Sequence, residues 1–266
     1  MNMELDFIKE MFDSIASRYD FLNRFLSMGQ DVVWRREMVK AAALAGQGCK
    51  VLDVACGTCD VAIEVCRQTG SGATIAATDF SPGMLAIGKA KVDDLEADAL
   101  KADALIDAPL RHGCREKPSK INLSKTRLSK IHLVAGNALY LPFPGALFDA
   151  VFIAFGIRNI MDRKGALRSF HGVLKKGGRL VVLELTSPPR GFFKDIYMLY
   201  FQRILPAVGA FFSRNSRAYS YLPASVLKFP PPGEFAAMMK ECGFSQVRWK
   251  GMTFGIVTLF VGSRIT

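Results

Sequence analysis

Three polar stretches of this sequence follow apolar segments, and their residue types suit recognition of a nucleoside. Gly57 lies in VLDVACGTCD (51–60), where small residues let the backbone approach a ligand and the next helix offers free N–H groups. Asp79 ends ATIAATD, where a carboxylate can accept both hydroxyls of a ribose. Asn137 and Ala138 follow IHLVAG, where an amide can meet an adenine edge and a backbone N–H can reach a ring nitrogen. A polar residue at the end of a strand often only caps the next helix. Three such residues at successive strand ends, however, indicate that they bind one common ligand.

The glycine turn (residues 55–59) does not have the pattern of a dinucleotide site. The glycines of G-x-G-x-x-G let the backbone approach a pyrophosphate, whereas this chain has Ala55, Gly57 and Cys59 at alternating positions. A sulfonium nucleoside does not need that close approach. The three stretches together therefore favour S-adenosylmethionine, and we expect Asp53 to interact, through water or backbone, with its cationic methionine portion.

An alternation of strands and helices is needed to bring these stretches together. Apolar, β-branched segments predict strands at 49–56, 73–80, 131–137, 148–156 and 179–185, and two more within 244–264. Helical spacing predicts helices within 4–46, after the glycine turn to 68, from 81 onward, at 163–176 and at 192–213. This order predicts an α/β fold with a doubly wound, mostly parallel sheet and a C-terminal antiparallel hairpin at one edge. Such sheets bind ligands beyond the carboxyl ends of their strands.

Length and composition favour a single domain spanning 1–266. The chain has 266 residues, half of them hydrophobic, which suffices for one substantial α/β domain but not comfortably for two. The N-terminus lacks a signal-peptide pattern, and the apolar stretch 192–212 is interrupted by charged residues and a proline. Six cysteines at irregular spacings suit reduced thiols. We therefore expect a cytoplasmic protein.

The positive charge is concentrated in one segment. The net charge is +11, and Arg111–Lys130 contains seven bases and one acid. Such a segment could meet nucleic acid or an anionic membrane, or could be an ordinary solvated surface. The base-flipping motif of nucleic-acid methyltransferases is absent, because AFGIRN stands in its place, so we expect no nucleic-acid partner. The Cys56-x-x-Cys59 pair has no second ligand pair, so we expect no metal.

In several segments longer than the glycine turn, the chain resembles the C-methyltransferases of menaquinone and ubiquinone biosynthesis. FDSIASRYD and FGIRN carry most of the specificity, since related methyltransferases share the glycine turn. The matching segments are FDSIASRYDFLNRFLSMGQDVVWRR (12–36), VLDVACGTCD (51–60), NALYLPF (137–143), FGIRNIMDRKGALRSF (155–170), VLKKGGRLVVLELTSP (173–188), AYSYLPASVLKFP (218–230) and the 243–262 ending. The resemblance implies a class I S-adenosylmethionine-dependent methyltransferase.

The resemblance also implies roles for individual residues. Cofactor contacts fall on Thr58, Asp79, Asn137 and Ala138, with Ala154 at a position that is serine in some relatives. Residues expected to face the substrate are Tyr19, Arg158, Asn159 and Tyr221. It further implies a helical substrate cap over 1–46, an insertion at 93–130 and a helical lid over 189–232.

Cys59 departs from the family, which usually has glycine there. We expect its side chain to intrude near the cofactor, and a φ above zero would strain it by about 1 kcal/mol or more. One alternative is therefore a non-catalytic scaffold with weakened cofactor binding. The sequence leaves that alternative open.

The implied substrate is a polyprenylated quinol, most simply demethylmenaquinol. The alternative is a 2-methoxy-6-polyprenyl-benzoquinol of ubiquinone synthesis. Arg158 is hypothesised to stabilise a developing phenolate, while Tyr19 and Tyr221 orient the ring; the alternative for Arg158 is a structural ion pair. A peripheral contact with the inner face of the membrane and a homodimer remain open.

Overall fold

A seven-stranded sheet forms the centre of the computed structural model, which describes residues 3–44, 48–106, 130–188 and 216–265. Its strand order is β3-β2-β1-β4-β5-β7-β6. β1 to β5 are mutually parallel, and β7 runs antiparallel to both β5 and β6. The strands are β1 (Cys49–Val54), β2 (Ala73–Asp79), β3 (Lys130–Ala135), β4 (Phe148–Ala154), β5 (Leu174–Leu185), β6 (Ser245–Met252) and β7 (Val257–Ser263). The predicted α/β class with an antiparallel edge hairpin is confirmed.

Helices cover both faces of this sheet. They are α1 (Met3–Leu26), α2 (Gln30–Ala41), α3 (Asp60–Thr69), α4 (Pro82–Ile106), α5 (Arg163–Val173), α6 (Ser216–Leu227) and α7 (Pro232–Glu241). α4 continues through the acidic, alanine-rich stretch from 93, so the first part of the predicted insertion prolongs a helix. The predicted helix at 192–213 and the basic residues 111–129 lie outside the described residues.

The start of β5 differs from the sequence prediction. The helix expected to reach residue 176 ends at Val173, and the strand begins at Leu174, which pairs with Phe148. A register shift follows, because the next pair along the two strands is Ala150 with Arg179. Gly177 has a φ of 82° within this irregularity, a conformation that favours glycine. Gly177 and Gly178 (the glycine pair) thus lie in an irregularity inside a strand, although the predicted helix at 163–176 and strand at 179–185 placed them between two elements.

The apolar strands pack into two cores, one on each face of the sheet. Val51 belongs to the core under α2, α3 and α4, whereas its neighbour Leu52 belongs to the core under α5 and α7. Alternation along a strand buried on both faces explains why β1 reads as an almost continuous apolar run. A third, smaller cluster of Met11, Leu22 and Val226 joins α1 to α6. Within the described residues, no helix is long and apolar enough to cross a membrane.

Candidate functional site

A cavity of ≈ 190 Å³ lies between the carboxyl ends of the strands and helix α1. α1 contributes apolar and aromatic side chains, and the strand ends contribute the polar ones. Sequence-predicted residues in its wall are Tyr19, Gly57, Asp79, Asn137, Ala138, Ala154 and Asn159; further lining residues are Ile8, Phe12, Val54, Ala55, Phe80, Met84, Gly136, Leu139, Phe155, Gly156, Ile160, Met161 and Asp162. The structure therefore brings together residues from widely separated parts of the chain.

The Asp79 carboxylate is held at the cavity wall by backbone N–H groups. Gly57 donates to one carboxylate oxygen over 2.8 Å, and Ser81 donates to the other over 2.9 Å. Burial raises the pKa of Asp79, and these hydrogen bonds partly offset the rise. The backbone contacts orient the carboxylate without using all of its acceptor sites, so it can still accept the hydroxyls of a ribose.

The segment after β3 forms a tight turn against the same wall. The Asn137 side-chain oxygen accepts a hydrogen bond from the Leu139 N–H over 2.9 Å, which leaves the amide NH₂ as a donor. Gly136 precedes it in a position where a Cβ atom would lie 2.6 Å from Thr78 Oγ1. Because a side chain at 136 would displace the turn, glycine allows Asn137 and Ala138 to face the cavity.

Asp53 and Thr58 lie behind the cavity wall. Asp53 is buried on the α3 side of β1, where its carboxylate accepts the Ala62 N–H over 3.2 Å. Burial raises its pKa to about 8 despite that hydrogen bond. The Thr58 hydroxyl donates to Asp20 of α1 over 2.6 Å. The contacts shown by both residues are with the protein, so their cofactor roles remain predictions.

The Cys59 side chain does not intrude on the cavity, so that expectation is wrong. The residue has a positive φ, 68°, directly before α3, so the condition for backbone strain is met, and it is fully buried. Its Sγ lies 3.9 Å from Cys56 Sγ, and a Cβ on Gly88 of α4 would lie only 2.6 Å from it. The thiol therefore fills space that the absence of a side chain at Gly88 provides. Within the described residues, no cluster of three or more metal-ligating side chains is found.

Arg158 forms a buried ion pair with Glu184, the last residue but one of β5. The guanidinium donates to Glu184 over 2.7 Å and also to the Phe155 carbonyl, and the backbone N–H of Arg158 donates to the same carboxylate over 3.1 Å. Arg158 does not line the cavity, although Phe155 and Asn159 beside it do. The ion pair weighed as an alternative is present, and a catalytic role for Arg158 remains a prediction.

Three of the predicted substrate-facing residues lie near one another. The Tyr221 hydroxyl donates to the Asn159 side-chain oxygen over 3.1 Å, and Asn159 lines the cavity. Burial raises the pKa of Tyr19, while a hydrogen bond with Asn23 and the positive charges of Arg158 and Arg35 act in the opposite direction. Burial has the largest effect, so the pKa of Tyr19 is raised overall, and its protonated hydroxyl can donate a hydrogen bond to a ligand oxygen placed beside it.

Sequence reasoning missed several residues of this region. Glu184 had a usable signal, because a carboxylate inside an apolar strand is expected to be paired when buried. Ile8 and Phe12 carried only the spacing of a helix face, which does not show what that face contacts. Lys91 carried no signal, since its partner Asp20 is 71 positions away in the sequence.

The sequence matches the ubiE/COQ5 methyltransferase family over residues 1–105 and 115–264. The chain belongs to this family. A Geobacter relative named ubiquinone/menaquinone biosynthesis C-methyltransferase UbiE is 43% identical over 97% of this chain and 96% of its own. A Thermus thermophilus demethylmenaquinone methyltransferase is 43% identical over 96% of this chain and 100% of its own. Members of the ubiE/COQ5 family thus align with the N-terminal helices, the glycine turn and the C-terminal hairpin alike.

Solved structures of SAM-dependent methyltransferases share the fold of this ubiE/COQ5 family member. One from Thermotoga maritima has a TM-score of 0.60 at 15% identity and covers 96% of this chain and 99% of its own. One from Aquifex aeolicus has a TM-score of 0.54 at 16% identity over 89% and 93%. The protein is a methyltransferase, and its cofactor is S-adenosylmethionine. The oriented Asp79 carboxylate and the Asn137 amide at one cavity suit the ribose and adenine of that cofactor.

Proposed function

We propose that the protein transfers a methyl group to a ring carbon of a polyprenylated quinol, specifically demethylmenaquinol. When bound, S-adenosylmethionine supplies an electrophilic methyl group. The observation that carries the proposal is the two-sided cavity, in which α1 presents an apolar aromatic wall opposite the polar strand ends. A flat ring held against that wall would face the cofactor side, as an in-line displacement requires.

The residues around the apolar wall suit an electron-rich ring with acidic hydroxyls. Tyr19 and Asn159 offer polar groups to orient a quinol hydroxyl, and Tyr221 is oriented in turn by Asn159. Because burial keeps the Tyr19 hydroxyl protonated, it can donate a hydrogen bond to an oxygen of the quinol. A phenolate is a stronger carbon nucleophile than a phenol, so a hydrogen bond donated to the developing phenolate would promote methylation.

The bicyclic quinol is preferred over the methoxy-benzoquinol on physical grounds. A naphthalene ring buries more apolar surface against side chains such as Phe12, Phe155 and Met161, and burial contributes about 25 cal/mol per Å². The name of one relative at 43% identity covers both the ubiquinone and the menaquinone pathway, and another at 43% identity is named a demethylmenaquinone methyltransferase. The scaffold alternative loses its basis because Cys59 does not line the cavity.

Competition between the two quinols tests this assignment. The purified protein is given S-adenosylmethionine and an equal mixture of short-chain demethylmenaquinol and 2-methoxy-6-polyprenyl-benzoquinol, both kept reduced. We expect kcat/KM to favour demethylmenaquinol by roughly tenfold or more, as one extra buried ring predicts. Preference for the methoxy-benzoquinol would assign the protein to the ubiquinone branch, and methylation of neither would refute the proposal.

A polyprenyl substrate also brings the protein to a membrane surface, and α1 offers a face for that contact. Phe21 and Phe25 on α1 and Met28 just after it are exposed, and the two phenylalanine rings are stacked at 6.0 Å. Aromatic side chains next to basic ones favour an anionic bilayer surface. Sedimentation with anionic vesicles should fall when Phe21 and Phe25 are both changed to alanine, and unchanged sedimentation would argue against this contact.

A further inference from the structure

A polar cluster behind the cavity joins four helices and the glycine turn. It consists of Asp20 on α1, Thr58 in the glycine turn, Asp60 at the start of α3, Lys91 on α4 and Arg35 on α2. The Lys91 ammonium lies 2.9 Å from Asp20, 3.2 Å from the Thr58 hydroxyl and in contact with Asp60. Arg35 lies 3.1 Å from the other oxygen of Asp60. We call this set the Lys91 cluster.

Lys91 is the shared cation of two carboxylates in this cluster. Its side chain is 29% exposed, and those of Asp20 and Asp60 are 38% and 23% exposed, so solvent screens the cluster only in part. Although burial alone would raise the pKa of Asp60, Arg35 and Lys91 lower it below its usual value. Without Lys91, the carboxylates of α1 and α3 would lose the charge that holds them together.

The Lys91 cluster contains sequence neighbours of residues on both sides of the cavity. On one side, Thr58 follows Gly57, whose N–H donates to the carboxylate of Asp79. On the other side, Asp20 follows Tyr19, which lines the cavity from α1. One ammonium therefore ties the glycine turn to the helix that forms the opposite wall.

A second contact holds α1 at the far end of the cavity. Asp13 accepts hydrogen bonds from the Ser81 hydroxyl and from the Gly83 N–H over 3.2 Å, at the start of α4. Asp13 and Asp20 are seven residues apart, so they lie on one face of the helix, two turns from each other. α1 is thus fixed at two points, one beside Asp79 and one beside the glycine turn.

We propose that Lys91 and Asp20 are positioning residues that couple the glycine turn to the closure of α1. Cofactor binding orders the turn, the Lys91 cluster transmits that order to α1, and α1 then completes the substrate wall. By linkage, a closed α1 holds the cofactor more tightly in return. The proposal rests on the cavity being the site of methyl transfer, and it needs no contact between Lys91 and either ligand.

Hydrogen exchange with S-adenosylmethionine alone tests the coupling without any quinol. The amides of α1 are followed with and without cofactor in the wild type, in Lys91→Met and in Lys89→Met. Lys89 is the matched control, because it lies on the same helix and pairs with Asp93 over 2.9 Å, yet it is exposed and outside the cluster. We expect cofactor to protect α1 in the wild type and in Lys89→Met.

In Lys91→Met, at saturating cofactor, the protection of α1 should be lost and the cofactor should bind about tenfold more weakly, within the usual range of coupling between sites. Lys91→Arg, which keeps the cation, should restore most of both effects, so a simple folding defect of the methionine variant can be told apart. Asp20→Asn keeps an acceptor for Thr58 but loses the ion pair with Lys91. Its α1 protection and cofactor affinity should therefore lie between those of Lys91→Met and Lys91→Arg.

Equal protection of α1 in Lys91→Met and Lys89→Met at saturating cofactor would overturn the coupling. Failure of the wild type to bind S-adenosylmethionine at all would instead overturn the methyltransferase site. Normal cofactor binding and α1 protection without quinol methylation would leave the coupling intact and refute only the proposed substrate.

Discussion

The guanidinium of Arg158 and the carboxylate of Glu184 meet over 2.7 Å directly behind the cavity wall. Their side chains are only 6% and 0% exposed, so water contributes little to solvating either charge. Removing one member of such a pair leaves the other charge buried and uncompensated, whereas replacing both by apolar groups can be nearly neutral. Stability and activity should therefore respond differently to single and double changes of this pair.

Glu184→Leu should lower the free energy of unfolding by about 3 kcal/mol, and the double variant Glu184→Leu with Arg158→Met should recover much of that loss. Methyl transfer should stay impaired in the double variant if Arg158 contributes its charge to catalysis. Urea unfolding and kcat at saturating substrates measure the two effects. A double variant with wild-type kcat would limit Arg158 to the ion pair.

Asp53→Asn should remove one component of the pH dependence of stability. The pKa of Asp53 is raised to about 8 in the folded protein, above its unfolded value, so the folded state binds more protons between about pH 4 and pH 8. Its contribution therefore favours folding at low pH and is lost as pH rises through that window, by up to about 1.4 kcal/mol per unit.

Urea unfolding of the wild type and Asp53→Asn across that window compares the two slopes. The difference in stability between them should grow in favour of the variant as pH rises, and parallel profiles would contradict the raised pKa. Cofactor affinity in the same variant tests the sequence-based expectation for Asp53. A contact with the methionine portion predicts weaker binding, whereas the observed contact with Ala62 alone predicts little change.

Cys59 and Gly88 should show strong energetic coupling. Gly88→Ala places a Cβ atom 2.6 Å from Cys59 Sγ, which should cost about 1–3 kcal/mol by overpacking. In a Cys59→Gly background the same change should be tolerated, because the thiol is gone. Cys59→Gly alone should leave cofactor affinity within about twofold, since this side chain lies outside the cavity wall. Additive effects on thermal unfolding, or a large gain in affinity, would contradict this packing.

Asp79→Asn should weaken S-adenosylmethionine binding by up to about a hundredfold, since hydrogen bonds to a charged group contribute about 1.5–3 kcal/mol. Asp149→Asn is the control, because this carboxylate pairs with Lys175 near the amino end of β4, away from the cavity. Calorimetry with the cofactor separates the two variants. Comparable losses in both would show that the effect is structural.

The fold and the strand-end residues could be predicted because they depend on local patterns. Asp79 and Asn137 each come at the end of an apolar strand. Their position at the carboxyl ends of the parallel strands can therefore be predicted without knowing how the helices pack. The sequence could not show that the Cys59 side chain turns away, because a positive φ alone does not reveal which neighbour will make room, and Gly88 lies 29 positions later.

Long-range pairing was the other limit of prediction. The Lys91 cluster assembles residues from four helices and the glycine turn, and no spacing rule connects them. The start of β5 was missed for a related reason, because the glycine pair reads as a turn until Leu174 is paired with Phe148. Contacts fixed by tertiary packing override local signals at such places.

Transfer of an isotope-labelled methyl group tests the central claim most directly. The purified protein is incubated anaerobically with S-adenosylmethionine carrying ¹³C in its methyl group and with short-chain demethylmenaquinol, and the product is analysed by ¹³C NMR and mass spectrometry. We predict one labelled methyl group bonded to a ring carbon, with turnover strongly reduced in Asp79→Asn and retained in Asp149→Asn. Label on a quinol oxygen, or no labelled quinol from a protein that binds the cofactor, would contradict the account.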